Sequence, residues 1–350
     1  MKTADGTIVV TVNEPDAEVF VDGERITVTR KGDEPIEIRK SPGTHTVEVK
    51  KGGFKVEGQK VTLTAGGRVT VNLAFQDQFR KPVGGKWPEL ASGLKAGQPL
   101  VPDLDLGGGV TMKFVFIPSG EFLMGAPDGE KDAEDGEKPQ HWVRITKGFY
   151  MGIFEVTQEQ YEAVMAANPS SHKVHNTNLD TRQFPVENVS WENADRFCDK
   201  LTLKTGKRIA LPTDAEWEYA CRAGTTTPFH WGTSLNGTQA NCLGEHPYAT
   251  TAKGPSLRRP CKVGSYEPNP WGLYDMHGNV FEWCRDCYDP DFYKKHTLFV
   301  DPFNQADGWR VVRSGGYGSG GVGCRAALRH GVTPWEHYGH VGFRVLCRAD

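Results

Sequence analysis

The chain is short of several things. In 350 residues it has no apolar run approaching the length of a bilayer crossing, so no transmembrane helix is expected. It has no excess of either charge: 41 Lys and Arg stand against 44 Asp and Glu, a formal net charge of −3. That balance removes the electrostatic case for nucleic acid or an anionic membrane as the main partner. The hydrophobic fraction, 37%, is low for a globular chain, yet 9 Trp and 17 Phe supply core material. The 41 Gly and 22 Pro follow no fixed period, so they mark turns and loops rather than a collagen-like repeat. The opening MKTADG lacks the pattern of a secretory leader, which fits a cytosolic protein or a trimmed fragment. What the chain has in number is cysteine: 8, an even count.

Residues 7–12 (TIVVTV), 17–21 (AEVFV), 45–49 (HTVEV), 59–63 (QKVTL) and 68–73 (RVTVNL) are short β-branched, roughly alternating runs. Asp22-Gly23, Ser41-Pro42-Gly43, Gly52-Gly53 and Gly66-Gly67 separate them as turns. This spacing predicts a small all-β sandwich over 1–75. The stretch holds no Cys and few residues suited to catalysis. AEVFVDG and SPGTHTVEVKKGGF resemble the PEGA domain, a small β-module usually found outside the cytoplasm. The resemblance implies adhesion or spacing rather than chemistry. Residues 76–109, with Pro82, Pro88, Pro99, Pro102 and the Gly107-Gly108-Gly109 run, are predicted as a linker. A second domain is expected over 110–350.

In that second domain Met112–Ile117 is predicted as a strand. Helices are predicted over Thr157–Ala166, Trp191–Lys204 and Thr213–Arg222. In the second of these, Trp191, Ala194, Phe197, Cys198 and Leu201 recur at three- and four-residue steps, and Ser190 stands at the N-cap. Beyond Gly224 the chain turns rich in Gly, Asn and Pro with little helical signal. Loops on that scale need tethering by metal, disulfide or aromatic packing.

Several motifs follow in order: IPSGEFLMG (117–125), EKPQHWVRI (137–145), EVTQEQY (155–161), FPVENVSWENADRFC (184–198), LPTDAEWEYACRAG (211–224), WGLYDMHGNVFEW (271–283) and VGFRV (341–345). Together they resemble the formylglycine-generating-enzyme, or sulfatase-modifying-factor, family. The implied class is α+β: a loop-rich variant of the C-type lectin fold behind the small sandwich. In the family's enzymes two cysteines bind Cu(I) and activate oxygen to oxidise a substrate cysteine. Here the Arg313–Ala327 segment places Ser319 where the first of those cysteines falls, and leaves no counterpart for the second. A serine hydroxyl is not a soft-metal ligand. Copper chemistry of the known kind is therefore not expected, and no catalytic residue is assigned.

The resemblance also implies a Ca²⁺ site at Asp275, Gly278, Val280 and Glu282. It implies a second at Asn241 and Cys242, although residues 246–266 contain no Asp to complete it. Oxygen donors of this kind suit a hard cation. The alternative is that Asp275 and Glu282 staple the loop through hydrogen bonds and ion pairs. The family's extracytoplasmic members further imply disulfides corresponding to Cys198 with Cys347 and Cys221 with Cys324, hence an oxidising compartment. Cys242 and Cys261 bracket a loop that a bridge between them would close. Cys284 and Cys287 form a CxxC whose options are a local disulfide or two thiols.

Between the motif pieces, Tyr317, Ser319, His330, Trp335, His337, Tyr338 and His340 stand among glycines. Aromatic anchors with adaptable small residues make a recognition surface. The same place in this fold is the variable surface of proteins diversified by retroelements. The expected function is binding of a protein or other macromolecule, at the cell surface or otherwise outside the cytoplasm, in a chain fused or tethered to a larger surface protein. The competing expectation is a metal-dependent oxidase of the same family with a rearranged site.

Overall fold

The computed structural model describes residues 5–12, 18–26, 35–51, 54–73, 96, 103–173, 179–295 and 299–348. The chain divides into two compact units, Met1–Pro88 and Glu89–Asp350. Most of the expected linker, and the expected turn at Gly52-Gly53, lie outside the described residues.

Among the described residues the first unit has two sheets. In one, strand Gly6–Val12 pairs antiparallel with Ile36–Lys40 and parallel with Arg68–Leu73, so that Ile8 faces Ile38 and Val69. The other runs in the order Glu24–Ile26, Glu18–Val21, Gly43–Lys51, Phe54–Leu63. Ile8, Val10, Ile36, Ile38 and Val71 of the first sheet share one core with Val19, Val21, Val47, Val61 and Leu63 of the second. At Asp22-Gly23 both residues have positive φ (55° and 85°), the backbone that a two-residue hairpin requires. The Asp22 carboxylate accepts from the Thr46 N–H at 2.9 Å and pairs with His45 at 2.8 Å, holding the hairpin to the next strand.

The second unit begins with a hairpin inside the stretch expected as linker. Leu104–Gly107 pairs with Val110–Met112, and the glycine run is its turn. Leu104 and Leu106 are buried, which gives those residues an apolar reason to be strand. Three helices follow, α1 (Gln158–Met165), α2 (Trp191–Thr205) and α3 (Asp214–Arg222). Thr157, Ser190 and Thr213 cap them, each accepting a backbone N–H from the third residue on. α2 buries Ala194, Phe197, Cys198 and Leu201, the predicted stripe. Three short-stranded sheets complete the unit. The one that carries the site runs His330–Val332, Arg310–Arg313, Phe281–Cys287, Val341–Gly342. Among the described residues no helix is long and apolar enough to cross a membrane.

The long loops are tethered by aromatic packing and by buried arginines. Arg313 meets Glu218 at 2.5 Å, and Arg325 binds Glu137 through both guanidinium nitrogens at 2.7 Å. Arg329 meets Asp214 at 2.9 Å, and Arg344 meets Glu282 at 2.6 and 2.7 Å. Each of these arginines is fully buried. Bidentate charge-assisted contacts fix loop geometry in a way that a single apolar contact cannot.

All eight cysteines are buried. Cys198 and Cys347 lie in one core cluster, where the implied pair would place them. Cys221 and Cys324 lie in different clusters. The residue that packs in the cluster of Cys221 is Ala326, two positions beyond Cys324. The Cys221 thiol points instead to the Met276 carbonyl (3.5 Å) and His277 Nε2 (3.6 Å). Cys284 and Cys287 sit in strand Phe281–Cys287 without a bond between them.

Candidate functional site

The Ser314–Cys324 segment is built around a tight turn. The Ser319 N–H donates to the Gly316 carbonyl (2.8 Å), and the Gly316 N–H donates to Ser319 Oγ (3.1 Å). The hydroxyl expected at the first metal-binding position is thus spent on turn geometry. Tyr317 leaves the turn in another direction, donating its OH to the Gly339 carbonyl at 3.0 Å. Its ring meets His172 edge-on at 5.6 Å. His172 donates its backbone N–H to Glu187 Oε1 (2.7 Å), while Glu187 Oε2 is buried without a partner. Burial pushes the Glu187 carboxyl up from its ordinary range.

Residues 334–340 are zipped to the turn that enters α2. The Asn188 N–H donates to the Tyr338 carbonyl (3.0 Å), and the Trp191 N–H to the Pro334 carbonyl (2.9 Å). His337 Nδ1 sits 3.1 Å from the Asn188 carbonyl. This leaves Trp335 62% exposed at the tip.

Behind that strap lies a cavity of about 340 Å³, lined by Phe281, Trp309, Val312, His330, Val332, Tyr338, His340 and Val341 among others. Strand pairing explains it: Val312 stands opposite His330 and Phe281 opposite Val341, so one face of the sheet forms the floor. Phe281 meets His330 at 6.2 Å and His340 at 5.9 Å, and Tyr338 lies 5.6 Å from His340. Burial pushes the His340 imidazole below its ordinary value, so it is neutral at pH 7. Trp309 is 55% exposed at the rim. The wall is mainly apolar with a few polar tips, the usual make-up of a ligand pocket.

Of the expected recognition residues, the structure brings His330, Tyr338 and His340 together in this pocket. Tyr317 and Ser319 serve the neighbouring turn, and Trp335 and His337 lie on the strap. Sequence reasoning missed Phe281 and Trp309. Phe281 adjoins the expected calcium ligands, and Trp309 lies just before the Arg313 motif, so neither stands within residues 317–340.

The expected calcium residues fall in one buried region. Asp275 has φ +56° and accepts the Gly264 N–H at 2.6 Å. Glu155, not singled out from sequence, accepts from Asn279 Nδ2 (2.7 Å) and the Val280 N–H (3.2 Å). Burial first, then the negative charge of Glu282, pushes the Asp275 carboxyl up to about 6. Burial with the charges of Asp275 and Glu282 raises Glu155 well above its usual range. Glu282 is committed: Arg344 holds both its oxygens, and Trp217 Nε1 donates to Oε2 at 2.7 Å. Asn241 Oδ1 is buried with no partner. Among the described residues no three His, Cys, Asp or Glu side chains are grouped to hold a metal.

Residues 109–349 match the family profile described as the sulfatase-modifying factor enzyme 1-like domain, and residues 5–78 match the PEGA domain. The formylglycine-generating enzyme of Streptomyces coelicolor is 32% identical over 289 residues, covering 67% of this chain and 89% of that protein. A serine/threonine-protein kinase, pkn1, of Chlamydia pneumoniae is 31% identical over 296 residues, covering 78% of this chain and 42% of the kinase. Among solved structures, Treponema denticola variable protein 1 superposes with a TM-score of 0.60 at 26% identity, covering 72% of this chain and 99% of that one.

Proposed function

The chain belongs to the formylglycine-generating-enzyme, or sulfatase-modifying-factor, family, and from that premise we propose that this member binds a macromolecular ligand rather than oxidising a cysteine. The observation that carries the reading is Ser319. It stands where the first copper cysteine would be, and its oxygen accepts the Gly316 N–H. A turn-forming hydroxyl does not supply the soft donor that Cu(I) requires. The pocket behind the 334–340 strap provides the alternative use of the same face. It takes an aliphatic or aromatic side chain of a partner protein, with Trp309 and Trp335 as rim contacts. The likeness to a variable protein supports a segment open to change of ligand.

Calcium belongs to this proposal as a structural ion. Glu155, Asp275 and Glu282 share one buried counter-charge, Arg344. Asp275, Glu282 and the backbone carbonyls of Gly278 and Val280 would hold one ion, which would neutralise the surplus, and Asn241 and Cys242 would belong to a second. Chelator is expected to lower the melting temperature, and an unchanged melting curve argues against it.

The pocket is tested with the fluorescent probe 1-anilinonaphthalene-8-sulfonate. The wild type is expected to bind it, and Trp309→Ala with Tyr338→Ala to weaken binding at least fivefold without altered melting. Equal binding by wild type and double variant removes the pocket from the account.

A further inference from the structure

Cys242 and Cys324 come from segments far apart in sequence, yet they meet. Both belong to a small core cluster with Phe229, Leu235, Ala240 and Tyr248. The surrounding backbone is registered: Leu243 forms a parallel bridge with Gly320, and its N–H donates to the Ser319 carbonyl at 2.8 Å. The Gly321 N–H donates to the His246 carbonyl, also at 2.8 Å. Gly315, at φ +73°, lets the chain close in, since a Cβ there would fall 2.8 Å from the Cys324 sulfur. Two buried cysteines of one cluster thus belong to segments that are already locked together, as a bridge without backbone movement requires.

We propose that Cys242 and Cys324 form a disulfide that ties the Ala240–Leu243 loop to the Gly316–Gly320 turn. Two S–H bonds break and one S–S bond forms. The two electrons and two protons pass to a disulfide oxidant such as oxidised glutathione, which leaves as two thiols. The reaction proceeds by thiol–disulfide exchange through a mixed disulfide on one of the two cysteines. Both sulfurs are buried, so exchange requires the loop to open and is slow. The bridge closes a loop of about eighty residues, a length at which a cross-link restricts the unfolded chain strongly. Cys221 stays with Met276 and His277.

The proposal does not depend on the recognition reading, because the bond is a property of the fold. Its consequence for that reading is a stiffer turn beneath Tyr317, and so a smaller ordering cost on binding.

The test uses the full chain, equilibrated in an oxidising glutathione buffer, alkylated, and cut with trypsin without reduction. The expected product is the peptide Ala223–Lys253 linked to Ser314–Arg325, each containing one cysteine. The oxidised chain is expected to melt several degrees higher than the reduced chain, and Cys242→Ser is expected to abolish that difference. Alkylation of both Cys242 and Cys324 after oxidation overturns the proposal. So does a link from Ser314–Arg325 to Ile209–Arg222, the peptide of Cys221. One equivalent of copper or zinc retained with both thiols intact overturns it too, and would make the pair a metal site.

Discussion

His230 shows how a single buried group sets a pH dependence. Its ring lies 5.2 Å from His277 and 4.6 Å from Trp231, and its Nδ1 has no partner. Burial pushes its value from 6.5 to about 4. The unfolded chain takes a proton below about 6.5 that the folded chain refuses until about 4. This group's contribution therefore weakens as pH falls through that window. His230→Phe is expected to stabilise the protein at pH 5 by about 1–2 kcal/mol relative to wild type, and by less at pH 7. Denaturant melts at the two pH values check this; an equal effect at both contradicts it. Arg344 illustrates the opposite risk. Arg344→Met leaves Glu282 buried and uncompensated and is expected to cost about 3–5 kcal/mol in the same assay. The sequence was legible where a residue carries a motif and poorly legible where a resemblance alone assigns its partner. Cys324 stands two positions before Ala326, the residue that packs with Cys221. No local signal marks that offset, because the contact joins segments distant in sequence.

The helices were legible almost to the residue. Thr157, Ser190 and Thr213 cap them with side chains that need no tertiary partner to be recognised. Ser190 Oγ accepts the Asn193 N–H at 3.1 Å, and Ser190→Ala is expected to cost about 1 kcal/mol by thermal denaturation. A loss below a few tenths would mean that the cap is not used. Strands of two or three residues were not legible. Ile209–Ala210 and Val341–Gly342 exist because a neighbouring strand pairs with them, as Cys347 does with Ile209. The pocket follows from the same cause. His330 and Tyr338 lay inside the searched segment, but Trp309 and Phe281 reach it only through the sheet order.

At the scale of the whole molecule, the two-part organisation was legible from the change in strand spacing and the proline-rich stretch. The tethering of the loops was legible only in part. Aromatic packing was an expected tie and is present, as at Phe229, Trp231 and Tyr248, whereas the buried Arg–carboxylate pairs beside it were not foreseen. Scattered Arg, Glu and Asp in a loop-rich sequence do not reveal that they will be buried together. Calorimetry of the full chain is expected to show two unfolding transitions, one for each compact unit; a single two-state transition would contradict their independence. The proposed exchange of cysteine oxidation for recognition is tested by mass spectrometry of a sulfatase-motif peptide incubated in air with Cu(I)-treated full-length protein. The peptide cysteine is expected to be recovered unchanged. Conversion of that cysteine to formylglycine above the protein-free control would contradict the proposed exchange.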